Sequence, residues 1–377
     1  MRRIIIGALA VLVSTAALAQ TLTSLPASGD NQKSSTTQYI GPVAVTIDYS
    51  SPDVRGPRGE DRRGKIFGTD VAPYGLSDLG FGPCGKNCPW RAGANENTVF
   101  TVSHDVKVNG QPLPAGRYGL HMIPDPNEWT IIFSKNSSSW GSYYYTPSED
   151  VLRVKAKPAK GNYTEWLTYD FIDRRPDRTT VALRWEDLEV PFTVTVDNVV
   201  DLHVANLRDE LRTYRGFDQN SWIAAARWAL QAKRPEVALE WADIAVNRPG
   251  PGIENFNSLM LLADAQEAAG KATESKATRD RAMNHATATA GGIHQYGRLL
   301  LQQGKKEDAL RIFELNAKRH PNAWPVNVGL ARGYSAVGRY KDALKHAKLA
   351  AAQAPDDLNR KSMTDAVAKL EKGQDIN

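Results

Sequence analysis

Between Tyr39 and Val200 apolar residues recur at every second position: Val43, Val45 and Ile47; Trp129, Ile131 and Phe133; Val181, Leu183 and Trp185; Phe192, Val194 and Val196. Such alternation puts one face of an extended strand in a core and the other in water, as in antiparallel sheets. Turn formers separate the runs: Asn109-Gly110, Pro114-Ala-Gly116, Pro124-Asp-Pro126, Lys160-Gly-Asn162 and the link Glu186-Asp-Leu-Glu189. About eight strands punctuated in this way predict an all-β antiparallel sandwich, or a partly closed barrel, over residues 39–200. No helical pattern intervenes, which argues against a parallel α/β arrangement. From Asp201 onward the apolar spacing changes to three and four, as in Trp222, Ala225, Ala226 and Ala229, and residues 201–377 are predicted to be helical.

The helical half carries a longer period. Gly304 recurs 34 residues on as Gly338, Ala309 as Ala343, Leu310 as Leu344 and Pro321 as Pro355, with Gly270 one period upstream. This spacing of glycine, small residue and closing proline resembles the tetratricopeptide repeat (TPR), a helix pair of that length. The resemblance is good for Gln303 to Pro355 and weaker before it, where Lys233-Arg-Pro-Glu-Val-Ala-Leu-Glu-Trp241 looks like another second helix, offset by Pro249-Gly-Pro-Gly252. Three to four degenerate repeats between Ser221 and Pro355, closed by a capping helix over Asp356 to Glu371, predict an all-α TPR-like solenoid. Such a stack implies a long concave surface for a protein or peptide partner, with Asn327, Arg332 and Lys341 as contact candidates.

The first residues alter the charge and the compartment. Arg2 and Arg3, the apolar stretch from Ile4 to Leu12, and Ala17-Leu-Ala19 before Gln20 follow the order of a Sec-type secretory signal peptide over residues 1–19, cleaved after Ala19. A signal anchor is the rival reading; the Ala-x-Ala end and the polar segment after it favour cleavage. Residues 20–38 then form a flexible mature N-terminus, and no other apolar run is long enough to span a membrane. Losing Arg2 and Arg3 lowers the net charge from +5 to +3, which gives no argument for nucleic acid. A periplasmic or secreted location is expected. There Cys84 and Cys88, the only cysteines, in Gly80-Phe-Gly-Pro-Cys-Gly-Lys-Asn-Cys-Pro89, are expected to form a local disulfide. Their C-x-x-x-C spacing differs from the C-x-x-C of thioredoxin-type sites, and no His/Cys cluster accompanies them for zinc.

Several strings in the β half resemble an exported bacterial family known as domain of unknown function 2911 (DUF2911): Asp48-Tyr-Ser-Ser-Pro-Asp-Val-Arg-Gly56, Gly64-Lys-Ile-Phe-Gly68, Pro73-Tyr-Gly75, Trp90-Arg-Ala-Gly-Ala-Asn-Glu96, Leu113-Pro-Ala-Gly-Arg-Tyr118 and Asp150-Val-Leu-Arg153. The match covers about Thr46 to Val196. In the family pattern Trp-Arg follows Pro-Tyr-Gly almost at once; here Leu76 to Pro89, carrying both cysteines, is interposed. The resemblance implies architecture and compartment and transfers no catalytic residue.

The candidate ligand-binding residues are Arg91, Asn95, Glu96, His121 and Trp140. Arg91 and Glu96 can serve as an anion-recognising fork and a carboxylate base if the Trp90–Glu96 string borders a cleft with His121. The competing reading has Arg91 paired, and Asn95 and Glu96 bonded to their own loop, above a packed Trp90. Trp140-Gly-Ser-Tyr-Tyr-Tyr145 is the densest aromatic segment, able to stack on sugar rings or to pack across a sheet. Signposts of serine hydrolases, phosphate loops and metal hydrolases are missing, so no catalytic residue, metal or cofactor is assigned. The expectation is an exported non-catalytic scaffold that binds a protein or peptide; the alternative is an envelope enzyme or glycan-binding module with its site around Trp90–Glu96 and His121.

Overall fold

The structure, a computed structural model, describes residues 31–56, 58–321 and 323–377. The expected signal peptide and its cleavage site lie outside the described residues. The chain divides into two compact units after His203. No helix of the described residues is long and apolar enough to cross a membrane.

Among the described residues the first unit has ten strands rather than about eight: β1 Gln32–Ile40, β2 Val43–Ser51, β3 Thr98–Val102, β4 Val106–Val108, β5 Gln111–Leu113, β6 Gly116–Ile123, β7 Trp129–Ser134, β8 Asp150–Ala156, β9 Ala159–Ile172 and β10 Arg178–Thr195. They form two antiparallel sheets, ordered β1-β2-β3-β6-β7-β8 and β5-β4-β10-β9. The alternating residues of the sequence pattern make the core between them: Val43, Val45, Ile47, Trp129, Ile131, Phe133, Val181, Leu183, Trp185, Phe192, Val194 and Val196 are all buried. Rings from both sheets interlock there. Phe192 of β10 lies 6.1 Å from Phe100 of β3 and 6.0 Å from Phe133 of β7, in the tilted and edge-on geometries that aromatic quadrupoles favour.

Two expectations change. Residues 32–38, assigned to a flexible N-terminus, belong to β1, which pairs with β2 from Gln32↔Ser51 to Ile40↔Val43. An edge strand with a solvated face needs no apolar alternation. Its polar side chains bond across the strand pair instead: Ser35 Oγ donates to Asp48 at 2.6 Å, and the Thr37 and Thr46 hydroxyls are 2.8 Å apart. The expected turn at Glu186–Glu189 is an irregular stretch of one continuous strand, β10, in which the pairing with β9 shifts on either side of Glu186. Glu186 has φ 56°, the left-handed conformation that absorbs an extra residue in a bulge.

The helices are α1 Val199–Glu210, α2 Gln219–Gln231, α3 Pro235–Asn247, α4 Phe256–Ala268, α5 Ala272–Asn284, α6 Ala290–Gln302, α7 Lys306–Arg319, α8 Trp324–Ala336, α9 Tyr340–Ala352 and α10 Asp357–Glu371. The division between units falls within α1. From α2 to α9 the helices form four antiparallel pairs, of which the last three begin at 256, 290 and 324, the 34-residue period of the sequence. The periodic glycines are the turns inside the pairs: Gly270, Gly304 and Gly338 have φ of 79°, 76° and 77°. In the first pair Lys233 occupies that position with φ 57°, which is why its signature is weaker. Ala309 and Ala343 are fully buried, as a close helix–helix approach requires. Phe313 of α7 is fully buried and wedges between α6 and α8, where Gly297, Gly329 and Gly333 make room for its ring.

Candidate functional site

The Trp90–Glu96 string divides its side chains between different surroundings. Trp90 is a core residue, 7% exposed, stacked 6.4 Å from Trp185 and edge-on at 6.0 Å to Trp129. Its backbone exchanges hydrogen bonds of 2.8 and 2.9 Å with Met122. Ala92 and Asn95 take left-handed φ of 54° and 56°, and this turn brings the Asn95 carbonyl to Arg91, whose Nη1 donates to it at 2.8 Å. The Arg91 guanidinium also lies over the Tyr143 ring, 5.5 Å from its centroid. His121 is buried, with Nδ1 2.8 Å from Ser142 Oγ and its ring 5.1 Å from that of Tyr145. Burial, and then the charge of Arg91, push its pKa down to about 3, so it is neutral at physiological pH.

Glu96 belongs elsewhere. It pairs with Lys33 at 2.7 Å and accepts from Ser50 Oγ at 3.0 Å. Burial raises its pKa, but hydrogen bonds from Lys33, its own backbone and Ser50 outweigh this and hold it below the ordinary value. It lines a groove of about 460 Å³ with Lys33, Asp48, Arg117 and the serines of β1 and the 137–139 loop. Arg91 and His121 are not among the residues that line that groove. Lys33 and Arg117, which complete the groove, were not singled out in the sequence: Lys33 sits in a polar run without periodicity, and Arg117 is one of many exposed strand cations. Among the described residues no three His, Cys, Asp or Glu side chains come together as a metal ion would need.

Cys84 and Cys88 are disulfide-bonded, with Cα atoms 5.1 Å apart. The loop they close is anchored by reciprocal backbone bonds between Ser77 and Cys88 of 2.9 and 3.1 Å, and the bridge packs with Ile132 and Tyr145. Of the aromatic segment, Tyr145 is buried, whereas Trp140 and Tyr144 are 54% and 51% exposed. Phe81 of the cysteine loop, also exposed, contacts Tyr143 and Tyr144 with centroids 5.5 and 5.9 Å apart. The segment is a turn rather than a strand, so its aromatics are not distributed across a sheet.

In the second unit α2 meets α4 and α6 meets α8, while the second helices of successive pairs stand apart. The first helices therefore line the inner side of the stack. On that side Arg298 of α6 and Arg332 of α8 occupy the same position in successive repeats, and among the described residues neither takes part in an ion pair. Arg332 is half-buried, and burial followed by the charge of Arg298 holds its pKa below the ordinary value. Between them His294 packs its ring 5.6 Å from that of Phe313 and keeps a buried Nδ1 without a hydrogen-bond partner. Its pKa is pushed down to about 4 by burial, then by Arg298 and Arg332. The charge of Asp375 works in the opposite sense at Arg332 and offsets this only in part. Of the other contact candidates, Asn327 is a buried linker, donating to Gln353 at 2.8 Å and 2.9 Å from His346 Nδ1, and Lys341 is exposed on α9.

One junction departs from the rest of the stack. α3 packs on α4 and α7 on α8, but α5 meets α6 at only a few points. Ser275 and Arg279 stand there one period before Ala309 and Phe313. Arg279 pairs with Asp264 at 2.8 Å and Glu267 at 2.5 Å, and its guanidinium lies 5.8 Å from the Tyr296 ring centroid. A cavity of about 520 Å³ opens beside it, floored by Tyr296, Leu300, Ile312 and Leu315.

The fold and its surfaces define the class: an antiparallel β-sandwich followed by a TPR-like helical solenoid of four helix pairs with a closing helix. The sandwich half matches, over residues 31–194, the model of the family described as "Protein of unknown function (DUF2911)". Solved structures similar to the helical half include YrrB, "a TPR protein with an unusual peptide-binding site", at 15% identity over 45% of this chain and 84% of that one, TM-score 0.30. A thermophilic TPR protein of Thermus thermophilus, TTC0263, is 20% identical over 45% of this chain and 90% of that one, TM-score 0.31. MamA is 14% identical over 40% of this chain and 85% of that one, TM-score 0.29. A comparison with curated proteins gave no match.

Proposed function

We propose that this protein is an exported, non-catalytic scaffold of the cell envelope whose helical unit takes up an acidic protein or peptide segment along α6 and α8. The observation that carries this reading is the pair Arg298 and Arg332, repeated at the 34-residue period on the inner side of the stack and, among the described residues, outside every ion pair. Burial and the charge of Arg298 both disfavour the Arg332 cation, Asp375 offsets this only in part, and a further carboxylate would relieve it with charge-assisted bonds. The disulfide supports an oxidising compartment, and the signal-like residues 1–19 support export with cleavage after Ala19.

The test is selection from a displayed random-peptide library on the exported full chain, after confirming that its N-terminus is Gln20. Enrichment of acidic peptides, with affinity falling at least about tenfold in the Arg298→Ala/Arg332→Ala variant, is expected for two lost charge-assisted contacts. Peptides that bind the double variant as well as the parent, or no enrichment at all, would refute it.

A further inference from the structure

The inner face of the last repeat already holds an extended segment, and it is the chain's own. α10 ends at Glu371; Gly373 takes φ 69°, and the amides of Gly373 and Gln374 close back on Leu370 and Lys369 at 2.9 and 3.0 Å. This left-handed turn sends the chain back across α8. Ser335 Oγ donates to Asp375 Oδ1 at 2.6 Å and accepts from the Ile376 amide at 3.1 Å. The Ile376 carbonyl lies 3.5 Å from Arg332 Nη1, and Asn377 Nδ2 donates to the Arg332 carbonyl at 3.0 Å. The Ile376 side chain packs, partly buried, against the cluster that holds Val328 and Ala331. Within three residues, then, α8 recognises a carboxylate, a backbone amide and carbonyl, and an aliphatic side chain.

This recognition is incomplete in two respects. Asp375 and Asn377 stay exposed, and the segment is fastened by only four hydrogen bonds, which must offset the cost of ordering the chain. Arg298 also gains no carboxylate from it among the described residues. A longer segment with a second acidic residue reaching α6 would satisfy both arginines and has more to gain than the segment in place.

We propose that Asp375–Asn377 is an internal ligand that occupies the subsite of Arg332 and Ser335, and that the partner is an extended segment presenting an acidic residue followed by an aliphatic one, which must displace it. This rests on the scaffold reading above and names its ligand. Tethering gives the internal segment an effective concentration of order millimolar; for an intrinsic dissociation constant of about 0.1 mM, competition weakens partner binding about tenfold.

The probe is a fluorescein-labelled peptide copying residues 372–377, Lys-Gly-Gln-Asp-Ile-Asn, followed by fluorescence anisotropy against the full chain and against a chain lacking 374–377. The shortened chain is expected to bind at least about tenfold more tightly than the full chain. Binding should be lost when the peptide's Asp is replaced by Lys and when Arg332→Ala is made in the shortened chain. If shortening impairs folding, as read by circular dichroism, full-length Ile376→Lys releases the segment instead. Equal affinity for released and intact chains, or indifference to the Asp-to-Lys change, overturns the proposal. If the released chain selects peptides of another pattern through Arg298 and Arg332, the internal ligand falls while the scaffold reading stands; if it selects none, both fall.

Discussion

Phe313 and Gly297 permit a test in which one substitution changes sign with its background. Gly297 lies in the middle of α6, and alanine there gains about 1 kcal/mol of helix propensity if nothing obstructs the new methyl group. The Phe313 ring obstructs it: a Cβ on residue 297 would stand 2.7 Å from Cζ and 2.8 Å from Cδ1 of a fully buried side chain. On its other side the ring already fills the space that Gly329 and Gly333 leave, where an added Cβ would stand 2.5 and 2.8 Å from it. Overpacking of this kind costs about 1–3 kcal/mol, so Gly297→Ala should destabilise the helical unit by up to about 2 kcal/mol. Phe313→Ala alone costs about 3–5 kcal/mol. In that background the methyl has space and refills part of it, so Gly297→Ala becomes stabilising by about 1 kcal/mol. Gly304→Ala is the control. Its φ of 76° strains any L side chain by about 1–2 kcal/mol, nothing lies within 4 Å, and Phe313→Ala should not rescue it. The assay is urea denaturation of the full chain followed by the helical circular dichroism signal, with midpoints compared at constant slope. A Gly297→Ala chain more stable than the parent, or the same sign in both backgrounds, would refute a ring wedged among glycines.

Two further outcomes are expected. His121 takes up a proton near pH 6.5 when unfolded but only near 3 when folded, so its contribution to stability is present above pH 6.5 and is lost as the pH falls toward 3. The sandwich should lose about 2 kcal/mol between pH 8 and pH 5 from this group, and His121→Gln should flatten that slope; an unchanged slope counts against a buried neutral imidazole. Reduction, or Cys84→Ser/Cys88→Ser, should lower the unfolding free energy of the sandwich by no more than about 2 kcal/mol while exposing residues 76–89 to proteolysis, because so small a ring removes little unfolded-state entropy. Protection that survives reduction would show that the Ser77–Cys88 backbone bonds hold the loop without the bridge.

What was legible in the sequence follows the physics of each element. Strands with one face in the core announced themselves through alternation; β1 did not, since an edge strand bonded through Ser35 and Thr37 has no apolar face to alternate. The candidate residues could be named but not grouped. Arg91 and Glu96 are five positions apart, yet the left-handed pair Ala92 and Asn95 turns one toward Tyr143 and the other toward Lys33. That separation is set by backbone dihedrals that alanine and asparagine do not advertise. Arg298 and Arg332 lay in plain view at the repeat period, but only the packing of α6 on α8 gives their spacing a meaning, by setting both on one face and leaving them outside the stack's ion pairs.

The same reasoning explains why the repeat was strong in one half of the solenoid and faint in the other. A repeat signature is a record of close helix contacts: glycine where the chain turns left-handed, alanine where helices touch, phenylalanine where a ring fills the wedge. At the α6–α8 junction all three are present and the helices close around Phe313. One period earlier Ser275 and Arg279 replace Ala309 and Phe313. A guanidinium cannot be buried as a ring can, and it brings with it the carboxylates of Asp264 and Glu267. The Arg279 ion pairs stand where the Phe313 ring stands one period later, and the 520 Å³ cavity opens beside them. A degenerate position in the repeat therefore has a structural meaning of its own, as the place where the stack is polar and open.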